Sequence, residues 1–264
     1  MKKNFPVELV YQVFSLLIAF ILVHALYVTV IRPQAHSFME QETANMQADP
    51  GYVQQRSFFV VIKDYEQETC FVLMLWAFAI LGFKGKSTYT QHKLLEQDML
   101  RLPDDLPIGA EDTRDLASRL RSLPAAVQDY VLPRALLTAI ERFGATRNVQ
   151  NVSTAARDIC ESEGERMESE LSIIRYIAWA IPSVGFIGTV RGIGDALGQA
   201  HRAVEGDITG VTSSLGVAFN STFIALVISI VLMFFIHQLQ LMQERLVLDS
   251  ERYIDHWFIR RLRT

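Results

Sequence analysis

Two threonines, Thr189 and Thr222, lie in the middle of apolar stretches, each inside a row of small residues. At 100° per residue, Ala178, Pro182, Gly185, Thr189, Gly192 and Ala196 fall within about 80° on a helix, and so do Ser214, Ala218, Thr222, Ala225 and Ser229. Such rows serve one of two ends. They let two helix backbones approach closely, or they line a narrow conduit in which hydroxyls bond water or solvate a carboxylate. Spacing alone leaves both open. On the conduit reading, the ion pathway is lined by Thr189, Thr222, Gly185, Gly192, Ala218, Ala225 and Ser229. Neither row carries Asp, Glu or Lys. Proton relays in membranes need a carboxylate or a histidine, so the titrating group must come from another chain. Arg191 and Asp195 lie four apart and about 40° apart in projection, and read as a structural ion pair on the opposite face.

Other chemistries find no residues to carry them. There is no phosphate-binding glycine loop, nucleophile elbow or Cys/His cluster, so neither an enzyme nor a bound cofactor or metal is expected. Cys70 and Cys160 are far apart and read as free thiols. A net charge of −4 gives no reason to expect nucleic acid.

The elements that must hold the threonines are membrane spans. Half of the 264 residues are hydrophobic and mean hydropathy is +0.19, which suits a mixed protein, part in the bilayer and part in water. The expected class is all-α: a polytopic membrane protein with four transmembrane helices and a helical cytoplasmic domain. Span 1 is residues 7–31, too long for the core of a signal peptide. His24 within it reads as bundle-facing or interfacial. A polar loop with some helix follows over 32–58, with Pro33, Pro50 and Gly51. Span 2 is 59–83, where Phe58-Phe59-Val60-Val61-Ile62 either lies at an interface or lengthens an otherwise short apolar run. Residues 84–172 form the water-facing domain, with breaks at Pro103, Pro107, Pro124 and Pro133. It ends in a charged stalk helix, capped at Ser153, that continues into span 3 (173–197). After a polar turn (198–210), span 4 covers 211–236, and a charged helix over 237–264 packs through Leu239, Met242, Leu246, Tyr253 and Trp257. Lys2, Lys3, Lys84, Lys86 and the Arg260, Arg261, Arg263 tail fall on one side, which puts both termini in the cytoplasm.

The segment GFIGTVRGIGDAL resembles the GLLGTVWGI-type segment of the MotA/TolQ/ExbB family of ion-driven motor subunits. VTSSLGVAFNSTFIALVISIV is similar to that family's last span, of the form PGIAEALxATAxGLxxAIP. With the charged stalk and Ala180-Ile181-Pro182, the resemblance covers about Ser153 to His237. It implies that Thr189 and Thr222 face an ion path for H⁺ or Na⁺ and a carboxylate on a single-span partner of the ExbD/TolR/MotB kind. It also implies a ring, a homopentamer, in a bacterial inner-membrane stator or protein-transport motor. Two positions depart: Val217 stands where the family has glutamate, and Arg191 where it has tryptophan. Four spans match the MotA layout, whereas the motifs are nearer ExbB/TolQ. From other classes come a non-conducting membrane scaffold, in which the small rows only pack helices, and a substrate transporter working without a partner.

Overall fold

A computed structural model describes residues 7–48, 52, 55, 57–100 and 107–263. Lys2, Lys3, Pro50, Gly51 and Pro103, used above for orientation and breaks, lie outside the described residues. The helices are α1 (Val7–Leu26), α2 (Arg32–Ala48), α3 (Phe58–Ile62), α4 (Tyr65–Leu94), α5 (Thr113–Arg121), α6 (Ala125–Gln128), α7 (Val131–Thr146), α8 (Val149–Glu170), α9 (Ser172–Gly198), α10 (Ala200–Val204) and α11 (Thr209–Trp257). The chain is an all-α polytopic membrane protein: four helical stretches, Glu8–Ala48, Tyr65–Leu94, Val149–Gly198 and Thr209–Arg261, are long and apolar enough to cross a bilayer. It divides into two compact units. One holds Met1–Leu81 with Ile173–Ile236, the other Gly82–Ser172 with His237–Thr264.

The first unit is a bundle of α1, α4, α9 and α11. Their directions alternate. Tyr11 donates to the Ala79 carbonyl (3.0 Å) and Trp76 to the Gln12 carbonyl (2.9 Å), while His24 meets Glu68, so α1 and α4 are antiparallel. The Cys70 thiol points at the Ile181 carbonyl and Glu66 at Arg191, so α4 and α9 are antiparallel too. Leu17, Ile18, Ile21 and Leu22 leave an exposed apolar face on α1, the kind of surface that hydrocarbon covers.

Three local expectations are corrected. The polar stretch after span 1, expected as a loop with some helix, is helix without a break from Arg32 to Ala48. Pro33 has no N–H to close the helical ladder, and the chain absorbs this with a π-turn over Tyr27–Ile31, in which Arg32 N–H reaches back to the Tyr27 carbonyl. The Phe58–Ile62 segment does not lengthen α4. Lys63 and Asp64 interrupt the helix, and α4 gains its length at the other end, running on to Leu94. The stalk helix starts at Val149 and is capped by Asn148, whose side chain accepts from Asn151 N–H (3.2 Å), rather than by Ser153. From there it runs to Gly198 with one turn residue, Leu171.

The second unit has its own core. Leu116 and Leu120 of α5, Leu136, Ile140 and Phe143 of α7, and Val152 and Cys160 of α8 are buried together. The tail of α11 contributes Leu246, Tyr253 and Ile254 to that core, whereas Met242 is exposed. Glu163, buried, pairs with Arg134 and Arg166, and Lys84 pairs with Glu170 (2.6 Å). These pairings answer the cost of burying charge.

Candidate ion-path site

The two rows of small residues face each other. Gly185, Gly188 and Gly192 of α9 lie directly against α11, and a Cβ at any of them has no room. At Gly192 it meets the Ser214 carbonyl at 2.7 Å and Ala218 Cβ at 2.8 Å; at Gly188 it meets Ser221 at 2.6 Å; at Gly185 it collides with Ala225. Gly185, Gly192, Ala218 and Ala225 are buried in this seam and touch the opposite helix. For these four the structure supplies the packing role. Their shape is consumed by helix-to-helix approach, as small residues allow in a bilayer.

Ser229 also has a local explanation. Pro182 lies inside α9 and has no N–H for the Ala178 carbonyl one turn back. Ser229 Oγ donates to that carbonyl at 3.0 Å from across the seam. A carbonyl left unpaired in hydrocarbon is costly, so a cross-helix hydroxyl is a direct remedy.

Thr189 and Thr222 differ from their neighbours. Both are half-buried at the edge of the seam, and their hydroxyls are hydrogen-bonded to each other. Thr189 Oγ1 also lies 3.0 Å from the Ala218 carbonyl and Thr222 Oγ1 3.1 Å from the Gly185 carbonyl, so the two hydroxyl protons are shared among three contacts: one hydroxyl donates to the other, and the second to its carbonyl. Each hydroxyl thus sits on a backbone carbonyl of the other helix. The edge presents hydroxyl and carbonyl oxygens with no formal charge, which suits a cation or the neutral form of an acid.

Arg191 does not pair with Asp195. Its guanidinium takes Glu66 of α4 in a two-pronged pair, Nε to Oε1 and Nη2 to Oε2, both 2.8 Å. Asp195 on α9 is exposed and has a short side chain, whereas the carboxylate of Glu66 is mostly buried and needs a countercharge, which a bidentate guanidinium supplies. Glu66 belongs to a polar run, Glu66-Gln67-Glu68, at the start of α4. Glu66 reaches α9. Gln67 reaches the Ser221 hydroxyl of α11 at 3.5 Å. Glu68 takes His24 Nδ1 of α1 at 2.6 Å and Arg32 of α2. The signal was present: three consecutive long polar side chains immediately before the apolar run Thr69 to Phe83.

Residues 127–252, just under half of the chain, match the model of the MotA/TolQ/ExbB proton channel family. The match is wider than the two membrane motifs. It takes in α7 and α8 before the third span and most of the α11 tail, and it leaves out α1, α2 and α4. Comparisons with curated proteins and with solved structures give no match. Residues 127–252 are thus similar to the MotA/TolQ/ExbB proton channel family, and the two spans inside the match lie along one glycine-tight seam.

Proposed function

We propose that this chain is the ion-path subunit of an energy-transducing membrane motor, with the Thr189–Thr222 hydroxyl pair as the point where the moving ion, or a partner's carboxylate, is solvated. One observation carries the reading. Of the small-row residues, these two hydroxyls meet at the half-open edge of the seam, while the glycines and alanines beside them are spent on packing. The α9 and α11 rows carry no carboxylate, so a single-span subunit of the ExbD/TolR/MotB kind brings one to that edge. Several copies of the chain, five by the family's habit, surround the partner in a bacterial inner membrane, with both termini cytoplasmic. The transported ion is H⁺ or Na⁺, and no cofactor is needed.

The buried seam also favours a second reading, a scaffold in which the rows only pack helices. Thr189→Val and Thr222→Val separate the two, since valine keeps the shape and removes the hydroxyl. In vesicles holding the chain and its single-span partner, we expect ion uptake to fall at least tenfold with assembly intact, and Thr→Ser to restore it. Uptake unchanged in the valine variants would falsify the ion path and leave the scaffold.

A further inference from the structure

The first turn of α4 contains buried polar atoms with nothing to bond. The Tyr27 hydroxyl is 1% exposed and the Gln67 side chain 0%. The Tyr27 hydroxyl, the Gln67 carbonyl oxygen Oε1 and the Asp64 oxygen Oδ2 all lack a hydrogen-bond partner. The three belong to one neighbourhood. Asp64 immediately precedes α4, and Gln67 and Glu68 lie in the first turn that follows it. The Tyr27 ring packs on Phe71, centroids 6.4 Å apart, one turn further along α4. Asp64, Glu68 and Arg32 are the charged side chains acting on the Tyr27 hydroxyl. Around it, Glu68 is already engaged by His24 and Arg32, and Asp64 Oδ1 by Lys63 at 3.4 Å. Glu66 and Arg191 pair on the next face. The Gln67 amide nitrogen spans the Val61 carbonyl (3.1 Å) and Ser221 Oγ (3.5 Å).

An orphaned buried polar atom costs on the order of 1–3 kcal/mol. Three in one place, with donor and acceptor character mixed, call for a small ligand that both gives and takes hydrogen bonds. Water does this with two to four partners. A metal cation does not fit as well: Asp64 and Glu68 are balanced by Lys63 and Arg32, so an added charge has no compensation. We propose that this junction of α1, α4 and α11 is a water-binding site, held by Tyr27, Asp64 and Gln67, that wets Ser221 on the far side of the Gln67 amide. The site lies outside the segment matched to the family. It stands without ion conduction; only a role in supplying protons to Thr222, next to Ser221, rests on the proposed function.

The test is accessibility in native membranes. In a Cys160→Ala background, S221C is treated with a small water-soluble methanethiosulfonate, and modification is mapped by mass spectrometry. Native Cys70, 0% exposed and turned towards Ile181, is the reference thiol in the same molecule. The expected result is modification of the S221C thiol at least tenfold faster than Cys70, with the ratio falling to near one when Gln67→Leu is added. Equal rates in the first variant overturn the proposal, since the site is then dry. A ratio unmoved by Gln67→Leu also overturns it, because water then arrives by another route. None of these readouts needs ion transport.

Discussion

Gly192 and Gly194 are two residues apart and have opposite surroundings. A Cβ at Gly192 meets a carbonyl at 2.7 Å, and one at Gly194 meets nothing within 4 Å. The backbone of α11 cannot move aside as a flexible side-chain tip can. Gly192→Ala is therefore expected to cost about 1–3 kcal/mol through overpacking. Gly194→Ala, in the same helix, is expected to gain about 0.5–1 kcal/mol from the better propensity of alanine. Thermal unfolding in detergent reads the pair as Tm shifts of opposite sign. Equal shifts would mean that the seam is looser than its distances. The small row was legible in the sequence because helical projection needs only residue type and period. The separate duties along it were not, because Gly185, Thr189 and Ser229 differ in what stands opposite them, and a one-dimensional pattern holds no neighbours.

At the scale of the element, α9 and α11 are joined by a proline and a serine that complete one another. Ser229→Ala strands the Ala178 carbonyl and is expected to cost about 1–3 kcal/mol. Pro182→Ala returns an N–H to that carbonyl, so in the Pro182→Ala background the same serine change should cost well under half as much. Unfolding midpoints of the two single variants and the double variant give the coupling directly. Additive costs would show that Ser229 acts independently of the proline. The first turn of α4 is the other organising element, where Glu66, Gln67 and Glu68 reach α9, α11, and α1 with α2 respectively. The sequence shows these as charges beside a span. Contacts separated by up to 154 positions turn them into a junction.

At the scale of the whole molecule, the second unit carries its own reporter. Cys160 is 1% exposed in the core built by α5, α7, α8 and the α11 tail. Burial, with help from Glu251 and Glu163, pushes its thiol up to about 12 from 9.0. A shift of that size lowers the thiolate fraction near neutral pH by on the order of a thousandfold. Alkylation of Cys160 at pH 8 is therefore expected to be slow in the folded chain and to rise in step with denaturant. Fast labelling without denaturant would place the thiol outside the core. The sign for stability follows: the neutral thiol is favoured by folding, so the contribution is intact below pH 9 and is lost as pH rises towards 12. Four spans and an all-α class were legible in the sequence, because hydropathy and length suffice to specify a crossing. The unbroken helix after Ile31 was not, since a π-turn that accommodates Pro33 has no compositional signature.

The three points at which the chain passes between its two compact units, 81/82, 172/173 and 236/237, all fall inside helices, α4, α9 and α11. None is a loop, and a helix counts residues: adding or losing one near a crossing turns everything beyond it by about 100°. Related sequences are thus free to change letters along these stretches but not their number. Insertions and deletions should collect in the turns, such as residues 199–208, and be missing from the three crossings.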